Sequence, residues 1–274
     1  MTEHRLPHQR PRRVAFNAWT YAVLVGLAWL VAGLAMPAAS AEPTDVTVRV
    51  IAKGAKFIGS GMGGVAVRLE DADSGQILAQ GRTAGTTGDT DRIMSRGLTH
   101  AQSRATPDAA HFTATLALDA PRRVRLVATG PVAQPQARTT VTATQWIVPG
   151  RHLTGGGGWV VEMPGLVVNL ISPAPAISHP AGEPIRLDAK VMMMCGCPIT
   201  PEGLWDAADV EVVATVLRDG EPVARVPLDY ANSASRFAAP YTPERAGTYE
   251  VVVHAYQPGN GNTGLDRAGL WVTE

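Results

Sequence analysis

The chain has 274 residues, 24 Lys and Arg balanced by 24 Asp and Glu, and two cysteines. The cancelled charge argues against a nucleic-acid binder, which needs surplus cations to neutralise phosphates, and two cysteines are too few for a disulfide scaffold. With 28 Gly, 21 Pro and only 5% aromatics, the composition suits many short strands and turns rather than long helices.

Arg5, Arg10, Arg12 and Arg13 precede a largely apolar run, residues 14–36, and Pro37-Ala38-Ala39-Ser40-Ala41 closes it with an Ala-x-Ala ending. Basic, apolar and small residues in that order predict a signal peptide cleaved before Glu42. The run is also long enough to span a bilayer, so an uncleaved anchor in the inner membrane over residues 14–36 is the competing reading. Either reading puts the remaining chain outside the cytoplasm, periplasmic or secreted. Residues 1–41 hold those four Arg and one acid, Glu3, so the neutral total leaves about −3 on the chain from residue 42 before counting His.

Beyond the leader the periodicity is that of strands. Val46, Val48 and Val50 alternate on one face, Val65, Val67 and Leu69 repeat the pattern, and Asp71-Ala-Asp-Ser-Gly75 turns the chain towards a returning strand at 77–79. Residues 84–110 are polar, rich in Gly and Thr, and without period; they predict a loop or flap. Strands resume at 111–118, 123–128, 139–148, 159–162 and 166–170. The Pro-rich segment 172–180 predicts a stiff boundary between two domains, 42–171 and 172–274. Further strands follow at 185–193, 210–217, 223–228, 249–256 and 269–272, with Asp219-Gly220 marking a hairpin. No segment sustains a 3.6-residue apolar stripe, and the expected fold is all-β: two β-sandwich domains after an N-terminal signal or anchor helix.

Two resemblances accompany this pattern. Ala246-Gly247-Thr248-Tyr249-Glu250-Val251, before a penultimate strand, resembles a bacterial immunoglobulin-like domain, with Tyr249 in the tyrosine-corner position and Val251 where antibody domains carry a cysteine. Residues 43–130, with Val-x-Val strands around Asp73-Ser74-Gly75 and Gly81-x-Thr83, resemble a carboxypeptidase-regulatory or transthyretin-like module. Both resemblances imply β-sandwiches that bind or position other molecules, and neither transfers a catalytic residue.

Met192-Met193-Met194-Cys195-Gly196-Cys197-Pro198 is the most unusual stretch, holding both cysteines and three of the six methionines beyond residue 41. In an extended strand Met193, Cys195 and Cys197 face one side. Their thiolates and thioether are soft ligands suited to Cu(I), which makes these three residues the candidate metal site. Cα atoms two residues apart lie about 6.6 Å from each other in a strand, near the upper limit for a disulfide, and Gly196 can bend the chain to close the gap. Three readings stand side by side: an oxidised structural turn, a Cu(I) site, and a thiol-disulfide redox pair. Glu202, Asp206 and Asp209 follow, but oxygen ligands suit harder cations, and these acids are expected to solvate a loop beside Trp205.

Other motifs fail on context. Gly59-x-Gly61-x-x-Gly64 has dinucleotide-loop spacing yet opens a strand rather than a helix. Asp71-x-Asp73-x-Gly75 begins like a calcium loop, but Arg82 stands at the twelfth position where Glu is needed. Asp89 and Asp91 read as a solvated loop rather than a carboxylate pair. His100, His111, His152, His179 and His254 show no ligand spacing, and His254 is expected as a half-buried strand residue. The expectation is an exported, non-catalytic accessory protein of the cell envelope that binds a protein or small ligand at strand edges and the 84–110 loop. It includes a role in copper handling, with redox chemistry at the same cysteines as the alternative.

Overall fold

Val46, Val48 and Val50 are almost fully buried, and the residues between them, Thr47 and Arg49, are buried as well. A strand covered on both faces needs something on each side of its sheet, and the computed structural model, which describes residues 40–94 and 103–274, supplies both. Seven strands fill the first part: β1 (Glu42–Ala52), β2 (Ala66–Asp71), β3 (Ile77–Arg82), β4 (Phe112–Leu118), β5 (Arg122–Gly130), β6 (Thr139–Ile147) and β7 (Trp159–Met163). They make two sheets, ordered β4-β1-β7 and β3-β2-β5-β6. The valines of β1 join Leu69, Val124 and Leu126 in the core. The opposite face of β1 is covered by the segment read as a flap. There Ile93 of the short helix α1 (Thr90–Met94) clusters with Phe57 and Ala109, and Arg49 Nη1 donates to Ala109 O at 3.2 Å. Bridges Ala84–His111 and Thr86–Ala109 tie the ends of that segment together. The predicted leader, as far as residue 39, and His100 lie outside the described residues.

Nine strands follow: β8 (Leu166–Ser172), β9 (Ile177–Pro180), β10 (Ile185–Met193), β11 (Glu211–Arg218), β12 (Glu221–Pro227), β13 (Asp229–Tyr230), β14 (Arg236–Tyr241), β15 (Gly247–Gln257) and β16 (Asn262–Thr273). They form sheets ordered β13-β14-β10-β8 and β12-β11-β15-β16-β9. The all-β expectation is correct. Two local readings differ. Residues 166–170, read as the last strand of a first domain ending at 171, pair with β10 from Met193–Leu166 to Asp188–Ser172. Strand pairing therefore changes partners between Met163 and Leu166. The Pro-rich segment is not simply a spacer either: residues 177–180 run parallel to β16, Leu270 opposite Ile177. Proline tolerates an edge position because its missing N–H faces outward there.

Tyr249 is buried, and its hydroxyl donates to Arg245 O at 2.9 Å, four residues upstream. That bond ties the incoming loop to the strand as a tyrosine corner does. Buried residues of both sheet pairs belong to one contiguous core. Around Lys53 and Gly54 the contact is polar: Asn262 Nδ2 donates to Lys53 O and Trp205 Nε1 to Gly54 O, each at 3.0 Å. Asn262 is fully buried, and its Oδ1 accepts from Gly165 N at 3.0 Å. One side-chain amide thus satisfies backbone groups from both sheet pairs, which a buried polar group requires.

Candidate functional site

The Met-Cys-Gly-Cys stretch leaves the end of β10 and reverses at once. Gly196 N donates to Met193 O at 2.8 Å, Met193 N donates to Cys197 O at 3.2 Å, and Met192 bridges Pro198. Gly196 has φ +79°, the left-handed conformation that a glycine bulge supplies after a tight turn. The extended single-face arrangement of Met193, Cys195 and Cys197 is therefore replaced by a hairpin in which Cys197 is the cross-strand neighbour of Met193. Reversal also brings the two cysteine Cα atoms to 5.4 Å, and a disulfide joins them. The return limb is held by Ser235, whose Oγ accepts from Ile199 N at 3.0 Å and whose N–H donates to Ile199 O at 2.8 Å.

The turn is inside the protein. Cys195 and Cys197 retain 4% and 5% of their surface, and Met193 retains none. What covers the turn comes from far away in the chain. A Cβ placed on Gly196 would lie 2.7 Å from Met62 Sδ, so the thioether of Met62 rests on the glycine. Met62 belongs to the Ser60–Met62 turn between β1 and β2, within the glycine motif that resembles a dinucleotide loop. Gly63 and Gly64 both have positive φ there, and β2 follows directly. The motif's conformational freedom serves to seat Met62 on the cysteine turn.

On the same strand, Asp188 is buried against Arg236, with Oδ1–Nε 2.8 Å and Oδ2–Nη2 2.5 Å, and against Arg186 Nε at 3.1 Å. Burial alone would raise the Asp188 pKa; the hydrogen bonds and charges of the two arginines outweigh it and hold the carboxyl below the usual range. This ion pair anchors β10 to β14, where Ala189 faces Phe237.

The remaining candidates are structural. Asp206 Oδ1 accepts from Ala208 N at 3.0 Å and caps a short turn. Asp89 Oδ1 accepts from Arg92 N at 2.7 Å and does the same for α1. Asp71 Oδ1 accepts from the N–H groups of Asp73 and Ser74. His111 meets Ala109 O, His152 Nδ1 accepts from Asp45 N, and His179 meets Glu183 O. His254 is half-buried in β15, opposite Leu265. Among the described residues no group of three His, Cys, Asp or Glu is placed to hold a metal ion, and no helix is long and apolar enough to cross a membrane. Met62 and Asn262 are the residues that sequence reasoning missed. Neither carries a local signal, because each acts on a partner over a hundred residues distant.

No protein-family model matches the chain, and no curated protein matches it. Among solved structures, an engineered protein is 19% identical over 47% of this chain and 24% of its own, with a TM-score of 0.31. Fibronectin(III)-like modules of CbhA from Clostridium thermocellum are 13% identical over 76% of this chain and 77% of theirs, with a TM-score of 0.27. The titin domains z1z2, solved in complex with telethonin, are 14% identical over 86% and 97%, with a TM-score of 0.25.

Proposed function

We propose that this chain is an exported, non-catalytic accessory protein of the cell envelope, whose Cys195–Cys197 pair is a structural clasp. The observation carrying this reading is the buried disulfide joining the two cysteines present, since such bonds persist in oxidising compartments. The basic, apolar and small residues of positions 1–41 support export independently. In this reading the protein is periplasmic or secreted, or held to the inner membrane through residues 14–36. It meets an envelope protein or small ligand rather than nucleic acid. Its first sheet pair is a transthyretin-like module and its second an immunoglobulin-like one, the latter supported by the Tyr249 hydroxyl bond. Cell fractionation followed by intact-mass measurement tests it. The expected species starts at Glu42, lies outside the cytoplasm and has no free thiol before reduction. A cytoplasmic, fully reduced protein would sink the proposal.

A second reading, copper handling, is favoured by the sulfur-rich surroundings of the turn. Once reduced, Cys195, Cys197 and Met193 offer two thiolates and a thioether to Cu(I), and Met62 brings a further thioether onto Gly196. Anaerobic titration of the reduced protein with Cu(I) against a competing chelator decides it. Retention lost in Cys195→Ser and weakened in Met193→Ala is the expected result; no retention by wild type rejects copper. Thiol-disulfide exchange at the same pair requires the turn to open, because both cysteines are covered. Thiol counts across a series of glutathione buffers test that alternative.

A further inference from the structure

The segment that carries the disulfide also reaches out of its own sheet pair. Met62, from the β1–β2 connection, rests on Gly196 between the two cysteines. Met194, one residue before Cys195 and almost fully buried, lies against the link between β7 and β8: a Cβ on Gly165 would stand 3.4 Å from Met194 Sδ. Further along, Trp205 Nε1 donates to Gly54 O at 3.0 Å, just past β1. Trp205 is tied back towards the turn, since Thr200 N donates to Trp205 O at 3.0 Å. One short stretch of chain, 194–205, thus meets the first sheet pair at Met62 and Gly54 and the link at Gly165.

The bond shapes the surface that Met62 sits on. Gly196 is the apex of the reversal, and the disulfide holds the flanking Cα atoms at 5.4 Å. Once reduced, the sulfurs are non-bonded neighbours and must separate to contact distance, about 3.5–4.0 Å. Both cysteines are buried in an interior packed to crystal-like density. The separation is gained by opening the turn towards the Cα spacing of an extended strand, about 6.6 Å, which moves Gly196 from beneath Met62. Contacts outside the stretch, Asn262 Nδ2 to Lys53 O and Gln136 Nε2 to Val168 O, do not depend on that bend.

We propose that the Cys195–Cys197 bond is a redox latch between the two sheet pairs, opened by a dithiol. This rests on the reading of the pair as an oxidised clasp. One thiolate of the dithiol attacks a cysteine sulfur, breaking the Cys195–Cys197 bond and forming a mixed disulfide. The second thiolate then displaces the attacked cysteine; two electrons and two protons pass to Cys195 and Cys197, and the dithiol leaves as a disulfide. Reduction unseats Met62 and loosens the 194–205 stretch from the first pair, while Asn262 and Gln136 keep the pairs joined. Linkage makes the coupling reciprocal: a seated Met62 resists reduction as much as reduction resists its seating.

Intact mass of the untreated protein comes first, because free thiols there overturn the clasp reading and the latch with it. With the pair oxidised, hydrogen exchange is compared before and after reduction by dithiothreitol. The Met62, Gly63 and Gly64 amides, bonded within their own turn to Gly59 O and Ser60 O, should exchange at least about fivefold faster in the reduced protein. Amides of the β5–β6 ladder should not change. Acceleration confined to residues 193–206 overturns the latch and leaves the clasp standing. In buffers of reduced and oxidised dithiothreitol, Met62→Ala should shift the equilibrium at least about fivefold towards reduced protein. Ile147→Val, a buried change in β6, should leave it unmoved. A Met62→Ala equilibrium equal to wild type also overturns the latch, and if that variant does not fold, the exchange comparison on wild type decides.

Discussion

Two tight turns, Asp71–Gly75 and Met193–Cys197, reverse the chain by opposite means. In the first, Asp71 Oδ1 accepts from Asp73 N at 3.0 Å, Ser74 N at 2.7 Å and Ser74 Oγ at 2.9 Å, while Arg123 pairs with Asp73 and Arg122 lies 3.4 Å from Asp71. Asp73, Ser74 and Gly75 are exposed. In the second, the reversal is buried beneath Met62 and closed by a covalent bond. A charged hydrogen-bonded turn is cheap at the surface and expensive inside, where its remaining polar groups would lose water. A disulfide flanked by methionines is neutral and apolar, and it tolerates burial. Position relative to the core, more than turn length, selects the chemistry.

Breaking the buried turn should cost most. Met193→Ala removes a fully buried side chain and should lower stability by about 3–4 kcal/mol in urea unfolding. Gly196→Ala should cost about 2 kcal/mol, since it combines a left-handed backbone with a Cβ pressed against Met62. In a Met62→Ala background the steric part vanishes and the backbone part stays, so a double-mutant cycle separates them. Replacing both cysteines by serine should cost about 1–2 kcal/mol, because so short a loop has little closure entropy to restrict. Equal costs in reducing buffer would show that lost packing, not the lost cross-link, is being measured.

The smallest effect belongs to the surface turn. Ser74→Ala should change stability by no more than about 0.5 kcal/mol. Its sensitivity is to acid instead. The Ser74 N–H, then its hydroxyl, hold the Asp71 carboxyl below the usual aspartate range against the opposing effect of burial. A lowered folded pKa means stabilisation that is complete above the unfolded value, about 3.9, and lost as pH falls through the folded one. Hydrogen exchange, corrected for intrinsic rates, should show the Ser74 amide losing protection in acid before the Gly196 amide. Parallel loss at both would mean global unfolding and would erase the distinction.

The strands around these turns were legible because a period of two encodes a one-sided burial directly. Val65–Leu69 and Tyr249–Val253 needed no tertiary information, whereas the burial of Thr47 and Arg49 between the valines of β1 did. Gly196 was legible too, since only a bend brings Cys195 and Cys197 within bonding range. Residues 166–170 were identified as a strand but assigned to the wrong neighbours, because alternation says that a face is buried and not against what. The helix α1 escaped notice because five residues are too few for a 3.6 period to register.

The sequence by itself determined that this is an all-β chain whose two cysteines flank a single glycine, because composition and short-range periodicity act through local backbone preference. Only the tertiary structure decided that the turn is buried and seated under Met62, and that Asn262 joins backbone from both sheet pairs. Those outcomes depend on residues separated by tens to hundreds of positions, and no local pattern encodes which distant side chain arrives to satisfy or cover a given group.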